Sequence, residues 1–389
     1  MLPRLASSAL LQLGSQYPVT VITGPRQAGK STLAKTLFPN KPYISLENLD
    51  EREFAQSDPR GFLKRYLEGA VFDEVQRCPE LLSYIQTVVD EKNQPGQFIL
   101  TGSAQLTLLT AVSQSLAGRA ALLSLLPFSW MELKSAGLIG NQFEQLLFQG
   151  CYPPIYDRHL SPNDWYSDYI QTYIERDIRQ ILNIQNLGTF QKFLKLCAGR
   201  VGQLLNLSSL ASDCGISHST ATQWLNLLEA TYIVFRVQPY FKNFSKRLVK
   251  TPKLYFYDSG LICSLLRIES SSQLETYSSR GSIFESWVAS EILKKFLNHH
   301  RRPTLYFWRD HKGMEVDFLI EHGDRLLPLE VKSGSTVASD WFDSLKFWQE
   351  LAKPYSEKPW VIYGGEDRQS RSSAEIVPWN QLDEFLEKI

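Results

Sequence analysis

Gly24-Pro25-Arg26-Gln27-Ala28-Gly29-Lys30-Ser31 decides the fold. The octet satisfies G-x-x-x-x-G-K-[ST] at every specified position, directly follows the apolar run Val19-Thr20-Val21-Ile22-Thr23, and runs into a helical pattern from Thr32. Strand, glycine-rich loop and helix in that order form a cradle for phosphate. Gly24 and Gly29 carry no Cβ, so the backbone can curl until successive N–H groups and the helix N-terminus face one anion. Lys30 supplies a compact positive charge, and the Ser31 hydroxyl is an oxygen donor suited to Mg²⁺. Residues 24–32, Thr32 included, are therefore expected to bind a nucleoside triphosphate.

About forty residues further on, Ala70-Val71-Phe72-Asp73-Glu74 reads as a short buried strand ending in two carboxylates. Asp73 is expected to hold Mg²⁺ through water, and Glu74 to polarise the water that attacks the γ-phosphate. A third apolar strand, Phe98-Ile99-Leu100, runs into Thr101-Gly102-Ser103. It brings a small polar side chain to the carboxyl edge of a parallel sheet, beside the phosphate crevice. Ser103 is thus the candidate γ-phosphate sensor, with a plain turn hydroxyl as the alternative. Arg26 either touches phosphate or points outward from the loop.

In this order of loop, acidic strand and sensor strand, the chain resembles AAA+ ATPases. More narrowly, Thr23-Gly24-Pro25-Arg26-Gln27, Val71-Phe72-Asp73-Glu74-Val75-Gln76, Leu100-Thr101-Gly102-Ser103 and Ser115-Leu116-Ala117-Gly118-Arg119 resemble a prokaryotic ATPase family. That family carries a C-terminal domain of unknown function with a nuclease-like fold, and the resemblance runs the length of the chain. It implies ATP and Mg²⁺ as ligands and an arginine donated by a neighbouring subunit to the γ-phosphate. Arg119 is the candidate for that role, which would imply a homo-oligomer, with a different protein partner also open; a surface ion pair is the alternative for Arg119.

A chain of 389 residues exceeds what one hydrophobic core usually organises, so two or three domains are expected from length alone. Apolar residues at 43% and charged residues at 21% describe a soluble globular protein, and the most apolar run, around Leu116 to Leu126, is cut by Arg119 and too short to cross a bilayer. The net charge is zero, so any nucleic-acid contact must come from a local basic patch. Cys78, Cys151, Cys197, Cys214 and Cys263 are odd in number and lack C-x-x-C spacing, which points to the reducing cytoplasm without disulfides or a zinc site. The N-terminus shows no signal-peptide pattern.

Four units are expected: a P-loop α/β core over residues 1–130, a helical lid over 131–206, a winged helix-turn-helix over 207–265, and an α+β restriction-endonuclease-like unit over 275–389. Apolar residues at Trp165, Tyr169, Tyr173, Ile174, Ile178 and Ile181 recur at helical steps in the lid, where Arg176 or Arg179 could sense nucleotide. Ser208 to Cys214, the stop at Gly215 and the cap at Ser217 spell helix, turn and fresh helix. Two strand-like runs, Tyr232 to Val237 and Lys253 to Tyr257, then form a hairpin. Its connecting segment carries Lys242, Lys246, Arg247 and Lys250, with Phe241 and Phe244, as candidate DNA contacts. Winged helices also serve as protein-interaction modules, and both readings stand.

From Gly281 a capped helix, three strands, a helix from Ser339 to Ala352 and a last strand follow in the order that resembles PD-(D/E)xK nucleases. The matching residues are Asp317, Glu330-Val331-Lys332 and, on the leading helix, Glu285. Period-two alternation puts Glu330 and Lys332 on one strand face. Under that resemblance Asp317 and Glu330 share Mg²⁺ and Lys332 stabilises developing charge, with Gln349 as an assistant. The whole reads as an ATPase that hydrolyses ATP to move a winged-helix and nuclease-like region acting on DNA. The alternative is a nucleotide-gated signalling or interaction switch whose nuclease-like part does not cleave.

Overall fold

β1 (Val19–Thr23) is buried at every residue, as a β-branched run covered on both faces must be. Around it stand β2 (Tyr43–Ser45), β3 (Ala70–Asp73), β4 (Phe98–Thr101) and β5 (Ala120–Ser124) in the order β2-β3-β4-β1-β5, with every pair parallel. Parallel strands end on one edge, so the loop after β1, the acids after β3 and Ser103 after β4 gather there. The insertion of β4 between β1 and β3 brings Thr101 beside the carboxylate of Asp73. Helices Ser7–Gln16 and Lys30–Leu37 cover one face over Leu10, Ile22, Leu33 and Ile99. Helices Pro59–Lys64 and Leu81–Lys92 cover the other over Val21, Phe62, Phe72 and Leu82. The computed structural model describes residues 2–389 apart from 93, 104–111, 113, 176–185 and 241–248.

Helix Trp130–Ser135 opens the second half of the molecule with a capping box, Ser129 and Glu132 satisfying each other's backbone N–H groups. Helix Pro162–Tyr169 continues as a π-helix, Ile170–Glu175, where one α-helical run was expected. Ile178, Ile181, Arg176 and Arg179 lie outside the described residues. Helix Leu207–Cys214 stops at Gly215 in the left-handed conformation, and Ser217 caps helix His218–Ala230 by accepting from Thr220 N. The expected apolar face of Ala221, Leu225 and Leu228 is buried, together with Trp224 and Leu227.

β6 (Val234–Pro239) and β7 (Lys253–Phe256) pair as an antiparallel hairpin, Val234 opposite Phe256. The hairpin is not a free-standing wing. Gln238 and Pro239 pair in parallel with Tyr306 and Phe307 of β8 (Leu305–Arg309), which continues into β9 (Glu315–His322), β10 (Arg325–Lys332) and β11 (Trp360–Tyr363). β12 (Gln369–Ser370) and β13 (Glu375–Pro378), absent from the sequence reading, complete one eight-stranded sheet in the order β12-β13-β11-β10-β9-β8-β6-β7. Helix Arg280–Asn298 lies across it and starts two residues before the expected cap at Ser282.

The hydrophobic core shows the same continuity. Phe143, Tyr152, Phe193, Trp224, Leu254, Phe284, Trp287, Phe318 and Trp379 belong to one buried cluster extending from Phe128 to Ile389. Phe143 of helix Phe143–Gln149 meets Phe284 at 5.1 Å and Trp379 at 6.2 Å between ring centres. The divisions expected at 206/207 and between 265 and 275 therefore separate neither sheets nor cores. Their periodicities were local, whereas the apolar faces they mark are buried against one another.

Residues 275–389 expressed alone would expose the β8 edge and the apolar face of helix Arg280–Asn298. Aggregation is the expected outcome in gel filtration; a monodisperse, cooperatively unfolding fragment would contradict the shared core.

Candidate nucleotide site

The phosphate loop has the strain its two glycines permit. Gly24 sits at φ +145°, where a Cβ would come within 2.0 Å of Leu125 O, and Gly29 at φ +92° caps helix Lys30–Leu37. Lys30 is buried, its Nζ donating to Gly24 O at 3.1 Å and Pro25 O at 2.7 Å. Burial pushes its ammonium down to about 8, against the partial support of Glu74 and Asp73.

Asp73 is held by three hydroxyls. Ser31 Oγ donates to Oδ1 at 2.7 Å, Thr101 Oγ1 donates to the same oxygen, and Tyr43 OH donates to Oδ2 at 2.6 Å. Sheet order supplies this arrangement, because β2 and β4 flank β3. The Ser31 hydroxyl and the Asp73 carboxylate are hard oxygen donors at a helix N-terminus, a set that fits Mg²⁺. Glu74 adopts a left-handed backbone, φ 57° and ψ 44°, which turns it out of the strand direction. Gln76 Nε2 donates both to Glu74 Oε2 and, at 3.1 Å, to the buried Ser103 Oγ. Burial raises the Glu74 carboxyl above its ordinary value, with Lys30 opposing the shift.

Of these groups, Gly29, Lys30, Ser31 and Glu74 border a cleft of about 410 Å³ between the sheet edge and the second half of the molecule, while Asp73 and Ser103 are not among its lining residues. Arg26, Gln27, Gly29, Lys30, Ser31, Thr32 and Glu74 line one side; Phe128, Pro153, Pro154, Asp157 and Arg158 line the other. Arg26 stacks over Tyr173, 5.2 Å from the ring centre.

Residues 16–134 match the AAA domain family. This unit is an AAA+ ATPase domain. Residues 140–272 and 280–382 match two domains of unknown function, DUF8612 and DUF4143. Uncharacterized proteins of Mycobacterium tuberculosis and Mycobacterium bovis are each 28% identical over 97% of this chain and 84% of their own. Among solved structures, the Walker-type ATPase of Pyrococcus abyssi is 16% identical, covering 68% of this chain and 95% of that one at a TM-score of 0.47. A RuvB variant of Thermotoga maritima is 22% identical, covering 60% and 86%, at 0.28.

Arg119 of the AAA+ domain stands away from the nucleotide cleft. It precedes β5, and Val19 N donates to its carbonyl, so it lies at the amino edge of the sheet. Five strand residues separate it from the loop, about 16 Å. Its guanidinium pairs with Asp90. A contact with its own domain's nucleotide is therefore out of reach, and the pairing with Asp90 is the surface ion pair given as the alternative.

Sequence reasoning missed Arg4. Its buried guanidinium donates to Ala28 O of the phosphate loop at 2.7 Å, to Leu126 O at 2.6 Å and to Glu132 Oε1 at 3.1 Å. No motif surrounds Arg4, and no local spacing signals it. Gln76 and Tyr43 were likewise unassigned.

The acids of the C-terminal half do converge. Asp317 Oδ2 accepts from Val331 N at 2.9 Å, on the strand that carries Glu330, and Lys332 Nζ lies 2.5 Å from Glu330 Oε1. Ser344 Oγ is 3.4 Å from Glu330 Oε2. Glu285 joins the group from helix Arg280–Asn298, held by Tyr255 OH at 2.5 Å and Lys253 Nζ at 3.1 Å. Lys253, Tyr255 and Glu315 were not anticipated, since they come from the hairpin and from β9. Of the candidate DNA contacts, Lys250 is exposed; Lys242, Lys246 and Arg247 lie outside the described residues.

The depressed Lys30 gives a proton signature. At pH 9 its amine is largely neutral in the free protein, and a polyphosphate favours the charged form, so ATP binding should draw close to one proton from solvent. Calorimetry in buffers of different ionisation enthalpy should register net uptake at pH 9 that fades toward pH 7; no uptake at pH 9 would contradict the burial of Lys30.

Proposed function

We propose that the protein hydrolyses ATP at the cleft and uses the cycle to shift its AAA+ domain against the body formed by residues 130–389. The observation that carries this reading is the meeting of Lys30, Ser31 and Glu74 at the cleft, with Asp73 bonded beneath Ser31. On nucleotide entry, the Lys30 ammonium exchanges the Gly24 and Pro25 carbonyls for phosphate oxygens. Ser31 and Asp73 would hold Mg²⁺, which offsets charge on the phosphates. Glu74 accepts the proton of the attacking water as the bond between the γ-phosphorus and the bridging oxygen breaks, and its raised affinity for a proton suits a general base. Gln76 orients Glu74 and reports its position to Ser103.

Three links at the domain junction support transmission. Arg4 ties Ala28 O to Glu132. Arg26 stacks on Tyr173. Tyr232 OH, just before β6, meets Ser124 Oγ at 2.8 Å and Thr23 Oγ1 at 3.2 Å, and Thr23 is the residue before the loop. We read helices Leu207–Cys214 and His218–Ala230 with the β6–β7 hairpin as a winged helix. The exposed Ser219, Gln223 and Asn226 would face DNA, with Lys242, Lys246, Arg247 and Lys250 on phosphate. The third unit, by its acids and element order, is read as nuclease-like. A second reading, a nucleotide-gated switch in which that unit does not cleave, is favoured by the lysine embedded among its acids. Arg119 would complete the site of a neighbouring copy.

Glu74→Gln should bind ATP with little change and lower turnover by about 10²–10⁴-fold in a phosphate-release assay, whereas Lys30→Ala should lose binding. Duplex or single-stranded DNA should raise wild-type turnover. If DNA leaves turnover unchanged while Lys30→Ala alters association with another protein, the switch reading replaces the DNA reading.

A further inference from the structure

Under the nuclease-like reading, a divalent cation belongs between Asp317 and Glu330, and the side chains present can be tested for it. Among the described residues, no three Asp, Glu, His or Cys side chains are placed to share one ion. The carboxylates are instead satisfied from within the chain. Glu285 Oε1 takes both Lys253 Nζ and Tyr255 OH. Glu315 is paired by Lys253 on one oxygen and by Arg309 Nη1 at 2.8 Å on the other. Glu330 holds Lys332 and Ser344, and Asp317 holds the Val331 amide. The arrangement as packed does not fit a resident metal.

Lys253 is the group that makes the difference. Its side chain is only 4% exposed, enters from β7, and stands over Phe307 at 5.6 Å. A buried ammonium is costly unless several anions surround it; here Glu285 and Glu315 bond it, and Asp317 adds its field. Lys332, by contrast, is partly exposed and bonds its own strand neighbour. Lys253 belongs to the hairpin, outside the element order that suggested a nuclease, so the cation is contributed by the neighbouring unit.

We propose that Lys253, bonded to Glu285 and Glu315, is the built-in counter-cation of this carboxylate centre, lowering its negative charge enough to keep a divalent metal ion from binding between Asp317 and Glu330. The four carboxylates Glu285, Glu315, Asp317 and Glu330 then face Lys253, Lys332 and Arg309 within the fold. Removing the Lys253 charge leaves buried carboxylates short of a cation, which is the condition that draws in a divalent ion. The proposal goes beyond the ATPase reading and does not rest on it, because its test is run without nucleotide.

The test is titration of the full-length protein with Mn²⁺ alone, followed by electron paramagnetic resonance and calorimetry. Wild type and Glu330→Gln should bind Mn²⁺ equally weakly. Lys253→Met should gain a site at least tenfold tighter than any in the wild type, and Lys253→Met with Glu330→Gln should lose it. A wild-type Mn²⁺ site that disappears in Glu330→Gln overturns the proposal, and this arm holds even if the lysine variants fail to fold. A folded Lys253→Met, or the more conservative Lys253→Gln, with no gain in Mn²⁺ affinity also overturns it.

Discussion

The buried ion pair of Arg4 and Glu132 joins the phosphate loop to everything that follows it. Removing two charges from water costs several kcal/mol for each unless every donor and acceptor is met. Here they are met from four parts of the chain. Arg4 serves Ala28 O and Leu126 O, while Glu132 accepts from Leu5 N, Ser129 N and Arg4 itself. Ala28 belongs to the loop, Leu126 follows β5, and Ser129 caps the first helix of the body. The loop and the start of the body are thus located by the same small group of atoms. The chain of buried contacts goes one step further, since Trp130 N donates to Glu291 Oε2 at 2.7 Å and Lys294 Nζ to Phe128 O at 2.9 Å. Glu291 and Lys294 lie on the helix that also carries Glu285.

Mechanical consequences follow from where the apolar surface is buried. The AAA+ domain has its own two cores, one on each face of its sheet. Most of the apolar surface from Phe128 onward shares a third, and the other face of the C-terminal sheet, with Trp308, Leu345 and Trp348, holds a fourth. Helical segment, helix-turn-helix, hairpin and C-terminal sheet cannot slide past one another without opening the third cluster, in which Trp287 and Tyr255 are almost fully buried. Close-packed interiors resist such deformation. The boundary at the nucleotide cleft is bridged by polar contacts and two stacked arginines, Arg4 over Phe128 and Arg26 over Tyr173.

Two charged centres in the same molecule show opposite treatments of buried charge. In the nucleotide cleft, Lys30 has only carbonyls and distant acids around it, and burial weakens its hold on a proton. An incoming polyphosphate removes that deficit. In the C-terminal centre, Lys253 is surrounded by carboxylates, which outweigh its burial and strengthen its hold on a proton. Glu285 and Glu330 are pushed upward by burial, with lysines opposing the shift. The first centre is built to receive charge, and the second already contains it.

The phosphate loop, the paired acids after β3 and the hydroxyl after β4 were legible from residues alone, because each depends on neighbours within a few positions whose periodicity and glycines are local properties. Most helices and strands followed for the same reason, and so did the placing of Glu330 and Lys332 on one face. Arg4, Tyr43 and Lys253 were not legible. Each acts through partners 24 to 128 residues away in the chain, and nothing in a local pattern records which distant carbonyl or carboxylate a side chain will meet. The joining of hairpin and C-terminal strands into one sheet was hidden likewise, since β6 pairs with β8 across some seventy residues. Sequence by itself determined the strand, glycine-rich loop and helix, with Lys30 and Ser31 at the helix start and Asp73 on the neighbouring strand. Tertiary structure decided what that loop is fastened to, and which cation sits among the distant acids, because burial and long-range pairing are properties of the packed chain.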